Sequence, residues 1–215
     1  MGGQGVGQIV AALYVDPRGT YSQVPDVELW DEARDARKYA GPYPVVAHPP
    51  CARWGKLALL TERMYGLRRG DDGGCFIAAL TAVRLFGGVL EHPAYSNAWR
   101  TFGLIAPNAR GGWQQTLDGA WVCHVEQGHY GHVAPKATWI YAFRCGELLD
   151  FKWGRCEHEH GRKRIGNVGK RGGAGGALSN SAMGWATRHE RRTTPPAFRD
   201  LLLSMARSCY ARRTT

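Results

Sequence analysis

The sequence predicts an α/β fold whose sheet is mostly parallel, with an antiparallel hairpin at one edge. Short apolar runs close in turns at Ile9–Val15, Val27–Trp30 and Pro44–Ala47, as buried strands do. A helical apolar face at Cys75–Phe86 leads through Gly87-Gly88 into Val89-Leu90-Glu91, which gives the strand–helix–strand alternation of a parallel sheet. Two further strand-like runs, Trp121–Gln127 and Ala137–Phe143, flank the turn Gly128-His129-Tyr130-Gly131 and read as the hairpin.

Each element has a local reason. IVAALYV stops at Asp16-Pro17-Arg18-Gly19, and Asp31–Tyr39 (DEARDARKY) carries acids in its first turn, so a helix is expected there, ended by Gly41-Pro42. In the next helix Phe76, Leu80, Val83 and Leu85 fall near one face. Pro195-Pro196 opens a last helix with Phe198, Leu201, Leu202 and Met205 at helical spacing. The organisation expected is a disordered lead-in at 1–8, a core at 9–148, a basic Gly-rich insert at 149–185, and a segment at 186–215 whose helix packs back on the core.

Composition narrows the partners. Lys and Arg number 28 against 18 Asp and Glu, a formal charge of +10, which favours a polyanionic partner or an acidic surface, with nucleic acid the leading candidate. The excess concentrates at Lys152, Arg155, Arg162, Lys163, Arg164, Lys170 and Arg171, and again at Arg188, Arg191, Arg192, Arg207, Arg212 and Arg213. A solvated basic face is the plainer alternative. No apolar run is long enough to span a bilayer. The residues before Gln8 lack the pattern of a secretory signal, and six scattered cysteines fit reduced thiols in a cytoplasm.

The residues that bear chemistry lie at strand ends. His48-Pro49-Pro50-Cys51 follows a strand directly, placing a thiol where open α/β sheets keep their ligand crevice. Prolines stiffen the approach, and cysteine is the side chain most readily activated as a nucleophile. Glu91 closes another strand, and parallel pairing would bring it to the same edge. His48 reads as a strand-end cap, and His129 and His132 as exposed imidazoles beside a turn. Trp54, Trp99 and Trp113 read as packing, with base stacking the alternative.

Pro-Pro-Cys after a strand, then an acid closing the next strand, resembles the cytosine-C5 DNA methyltransferases, including short versions found in bacteriophage genomes. Asp31, with Ala36 and Tyr39 after it, is similar to the family's acidic residue that contacts the ribose of S-adenosylmethionine. His129-Tyr130-Gly131 before TWIYAF looks like the segment preceding the family's Gln-x-Arg-x-Arg motif, whose positions here are Ala134, Lys136 and Thr138. The likeness covers roughly 9–148 and 186–208. It implies a reduced Rossmann-like class I methyltransferase fold acting on DNA in a host cell cytoplasm.

It also implies roles. Cys51, with Pro50 beside it, attacks cytosine C6; Glu91 bonds N3 and the amino group; Lys136 stabilises charge on the ring oxygen or holds the nucleic-acid backbone. Asp16, Asp31 and Pro49 serve the cofactor S-adenosylmethionine, and Arg53, Arg162, Lys163, Arg164, Lys170 and Arg171 hold the nucleic acid. The first loop departs from this pattern: DPRGTY has one glycine where close cofactor approach wants several. Three other readings therefore stand: a non-catalytic DNA-binding relative, a pyrimidine-modifying enzyme using another donor, and a zinc module of Cys145, Cys156, His158 and His160.

Overall fold

The computed structural model describes residues 8–55, 58–66, 68–156 and 186–209. The strands are β1 (Val10–Leu13), β2 (Val27–Trp30), β3 (Val45–Ala47), β4 (Gly88–Pro93), β5 (Gln114–Gln115), β6 (Trp121–Glu126) and β7 (Ala137–Phe143). They form one sheet in the order β2-β1-β3-β4-β7-β6-β5. The first four are mutually parallel, and β7 runs antiparallel to both β4 and β6.

The fold is thus mixed α/β with a seven-stranded sheet, part parallel and part antiparallel. The hairpin is not peripheral, as expected from sequence: β7 lies between β4 and β6, and the edge is the two-residue, exposed β5. Pairing of β7 along all of β4, from Gly88↔Phe143 to Pro93↔Thr138, buries this alternating strand on both faces.

The helices among the described residues are α1 (Ala58–Tyr65), α2 (Cys75–Phe86), α3 (Asn97–Thr101), α4 (Arg188–Arg192) and α5 (Pro196–Arg207), and α2 and α5 cover opposite faces of the sheet. Phe76, Leu80 and Val83 of α2 pack with Leu13, Val45, Leu90 and Trp99. On the opposite face Phe198, Leu202, Leu203 and Met205 of α5 pack with Val10, Val46, Val89 and Ile140, each side chain gaining roughly 1.5–3 kcal/mol by burial. Leu85 is exposed and Leu201 only partly buried, so the sequence-assigned faces were slightly too broad. Trp99 is buried in the core, Trp54 is almost wholly so, and Trp113 packs partly against Phe151.

The expected helix at Asp31–Tyr39 is absent. Turns lead instead to a single 3-10 turn at Ala36–Lys38, because Asp35 takes a left-handed conformation (φ 56°) and its carboxylate accepts from the Arg37 amide. Asp31 likewise accepts from the Arg34 amide, while the Arg34 guanidinium reaches back to Glu28. Such local side-chain bonds compete with helix growth. The helices α1, α3 and α4 escaped the pattern: α3 and α4 have five residues each, too short for a periodic signal, and α1 has a weakly amphipathic sequence, ALLTERMY. Among the described residues no helix is long and apolar enough to cross a membrane.

One glycine fixes the β3–β4 pairing from which the site is hung. Gly88 has φ 120°, and a Cβ there would sit 1.9 Å from the Val45 carbonyl oxygen. Gly88→Ala is expected to cost roughly 3 kcal/mol or more, from backbone strain plus the displaced strand. Urea denaturation checks this; a loss below about 1 kcal/mol would mean that the strands do not approach this closely.

Candidate active site

Topology alone brings the chemical groups together. The carboxyl ends of β1 to β4, the end of antiparallel-paired β6 and the start of β7 all meet at one edge of the sheet. Along that edge stand Tyr14, Asp31, His48, Glu91, Gln127 and Lys136, each at or within one or two residues of a strand end. The strand order reverses between β1 and β3, the point where open α/β sheets form their crevice.

Strand parity then selects the pair at its centre. Val46 of β3 lies directly opposite Val89 of β4, both facing α5. Two residues further on, the same face carries His48 and Glu91, and His48 Nδ1 lies 2.8 Å from Glu91 Oε2. His48 is therefore more than the strand-end cap expected from sequence. Its other nitrogen, Nε2, lies 2.8 Å from the hydroxyl of Tyr21. Gln127, completely buried, donates from Nε2 to Glu91 Oε1 and to Thr138 Oγ1, both at 3.0 Å.

Glu91 is 6% exposed, and burial pushes its carboxyl upward, but the hydrogen bond from His48 and the charge of Lys136 outweigh this and hold it at about 2. An ionised Glu91 requires His48 Nδ1 to carry the proton it donates. Burial, then Glu91, pushes the Tyr21 phenol well up, so its O–H is retained and donates to Nε2. Hydrogen bonds thereby converge on the Glu91 carboxylate, from Tyr21 through His48 on one oxygen and from Gln127 on the other. Gln127 Oε1 remains buried without a donor.

Cys51 joins this cluster electrostatically. Burial raises its thiol, Glu91 raises it further, and Lys136 and Arg192 lower it. Lys136, 9% exposed, is lowered by burial and raised by Glu91 and Cys51; its Nζ donates to the Thr193 carbonyl at 3.1 Å. The segment from α4 to α5 closes over the site, pinned by His132, whose ring nitrogens contact the Ala134 and Glu190 carbonyls at 2.8 and 2.9 Å. His132 is buried, not the exposed imidazole expected, and burial lowers it. Its counterpart His129 contacts the Gly154 carbonyl.

Of the residues singled out in the sequence, Cys51, Glu91 and Lys136 come together here. Pro50 is exposed in the turn and Pro49 buried beneath it. Arg53 lies in the following turn, its Nη1 buried without an acceptor. Arg162, Lys163, Arg164, Lys170 and Arg171 lie outside the described residues. Sequence reasoning missed Tyr21, Gln127 and Arg192 and undervalued His48; parity with Val46 was the available signal for His48, whereas the others depend on tertiary closure.

The crevice between β1 and β3 does not fit S-adenosylmethionine held in the manner of this fold. Residues 14–26 contain no helix, so this loop presents no helix N-terminus to a bound nucleotide. Asp16 accepts from the Arg18 amide, and Gly19 serves its own turn, where a Cβ would meet the Asp16 carbonyl at 3.1 Å. Asp31 is engaged by Arg34. Tyr21, 3% exposed, fills the space beside His48, and α5 anchors its loop through the Arg199 bond to the Thr20 carbonyl.

The zinc grouping expected from the sequence lies partly outside the described residues. Cys145 Sγ lies 3.5 Å from Cys209 Sγ, the Cys156 amide donates to Glu126, and His158 and His160 fall outside the described residues. Among the described residues no group of three or more His, Cys, Asp or Glu is placed to hold a metal ion. No protein-family model, curated protein or solved structure matches the chain.

The opposed effects on the thiol are measurable without substrate. Glu91→Gln removes the charge that raises Cys51, so alkylation of Cys51 by iodoacetamide at pH 8, followed by peptide mapping, is expected to accelerate several-fold. Lys136→Met is expected to slow it by a similar factor. Unchanged rates in both variants would separate the thiol from this cluster.

Proposed function

We propose that this chain is a pyrimidine-modifying enzyme acting on cytosine in nucleic acid through a covalent Cys51 adduct, with chemistry akin to that of the cytosine-C5 DNA methyltransferases. What supports this reading is that Cys51 follows β3, Glu91 lies near the end of β4 and Lys136 precedes β7 at one edge of the sheet, where the charges of Glu91 and Lys136 act on the thiol in opposite directions. The strand order, with its reversal between β1 and β3 and an antiparallel strand beside β4, supports a reduced Rossmann-like arrangement of the methyltransferase kind.

The chemistry follows from the charges. A cytosine extruded from its stack presents its 4-amino group to the Glu91 carboxylate, which accepts that hydrogen. Engaging Glu91 offsets the field that raises the thiol and leaves Lys136 and Arg192 to favour the thiolate. The Cys51 proton leaves to solvent, and the sulfur lone pair forms the S–C6 bond. The C5–C6 π electrons move toward C5 and the ring carbonyl, where Lys136 stabilises the developing negative charge. C5 then takes an electrophile, which is a solvent proton in the simplest case. Loss of the original C5 proton and expulsion of the thiolate restore the aromatic ring.

Because the first loop is committed to its own contacts, the donor favoured is one other than S-adenosylmethionine. The recognition of an amino group by a carboxylate favours cytosine over thymine, which presents an oxygen acceptor at that position.

Exchange at C5 needs no donor, so it tests the thiol chemistry directly. With DNA carrying tritium at cytosine C5, the wild-type protein is expected to release label into water. Cys51→Ser should abolish release, and Glu91→Ala, which removes the acceptor for the 4-amino group, should reduce it roughly 10- to 100-fold. A parallel incubation with labelled S-adenosylmethionine reads methyl incorporation. DNA binding without any exchange would overturn the catalytic reading in favour of a non-catalytic DNA-binding protein.

A further inference from the structure

A second feature lies beside the thiol, on the α2 side of the sheet. The Cys51 carbonyl accepts from the amides of both Trp54 and Gly55, at 3.0 and 3.1 Å, so Cys51 and Trp54 belong to one tight turn. Trp54 forms a wall of an open groove of about 470 Å³, together with Arg68, Arg69, Asp71, Asn97 and Arg100. Three chain segments build this groove, and backbone hydrogen bonds lock them: the Gly70 amide donates to the Arg53 carbonyl at 3.0 Å, and the Asn97 amide to the Trp54 carbonyl at 2.9 Å.

The groove carries unspent positive charge. Arg68, Arg69 and Arg100 are exposed, and among the described residues the ion pairs of arginine involve Arg34, Arg37, Arg84 and Arg199 instead. Asp71 is the acid on the lining, and its carboxylate accepts from the Gly73 amide. The neighbouring Asp72 is consumed by Trp54 Nε1 and the Phe76 and Gly74 amides. Clustered, exposed guanidinium groups without carboxylate partners match the phosphate oxygens of a nucleic-acid backbone, which an Arg fork binds bidentately.

We propose that this groove is the track for the DNA strand that carries the target base, with Arg68, Arg69 and Arg100 on phosphates flanking the nucleotide at Cys51. The proposal rests on the cytosine-modifying reading and adds where the strand lies. An extruded base remains tied to its backbone, so the adjoining phosphates must pass close to the turn that bears the thiol. The Cys51–Trp54 turn joins the two sites over one tight turn, which suits one or two nucleotide steps. A single strand is the occupant because an unstacked backbone bends into a groove between loops, where a duplex would have to open first.

The test is fluorescence anisotropy of a 12-nucleotide single-stranded DNA containing one cytosine, titrated across a salt series with the full chain. Each phosphate contact adds about 0.7 to the slope of log K against log salt for a single strand. The triple variant Arg68→Gln, Arg69→Gln, Arg100→Gln is expected to flatten the slope by about 2 and to weaken binding at 0.1 M salt about 100-fold. Each single variant, which guards against a misfolded triple, should flatten it by about 0.7. Cys51→Ser should keep the wild-type slope.

Unchanged slopes in the groove variants, with the loss appearing instead in Arg162→Gln, Lys163→Gln, Arg164→Gln, would overturn the groove. So would displacement of the DNA by polyglutamate of equal charge at equal concentration, which would make the groove a site for acidic polypeptide. The tritium-release assay separates the two claims: groove-dependent binding without release keeps the groove and removes the chemistry, whereas release that persists in a groove variant with an unchanged slope does the reverse.

Discussion

The site depends on one buried carboxylate. Glu91 sits at the end of β4 with His48 on one oxygen and Gln127 on the other, and burying such a charge unpaired would cost several kcal/mol. Those two bonds couple it to Tyr21 in the first loop and to Thr138 at the start of β7. One ionised group thereby ties the parallel half of the sheet to the antiparallel half, and the C-terminal segment closes over both through Lys136 and His132.

The same carboxylate sets the behaviour of the thiol. In the free protein burial and then Glu91 raise the Cys51 thiol. Under the proposed function, a substrate that satisfies Glu91 with hydrogen-bond donors would alter that balance and link activation of the sulfur to occupancy by the base. The first loop contributes through Tyr21, whose buried ring and hydroxyl hold His48 in place. In that role the loop is a structural wall for the relay, at the position where a nucleotide-binding protein would keep open backbone.

Much of this was legible in the sequence. Apolar runs bounded by turns gave the strands β1 to β4, β6 and β7, and the strand-end placement of Cys51 and Glu91 foretold a common edge because parallel neighbours end on the same side. The order of β7 and β6 was not legible, since alternation marks a strand without naming its partner. The Asp31–Tyr39 helix failed because composition does not register an aspartate such as Asp35 bonding its own loop amides. His48 was undervalued for a similar reason: an imidazole after a strand looks like a cap until pairing reveals which side chain stands opposite. Gln127 and Tyr21 lie 36 and 27 residues from their partners, a separation that no local pattern bridges.

The measurement that bears most directly on this account is the carboxyl-carbon NMR titration of Glu91, with and without an oligonucleotide bearing cytosine or thymine. The account predicts a side chain that stays ionised down to about pH 2 in the free protein, and a resonance that shifts with the cytosine strand and not with the thymine strand. A midpoint near the ordinary value of 4.5, or equal responses to the two strands, would contradict it.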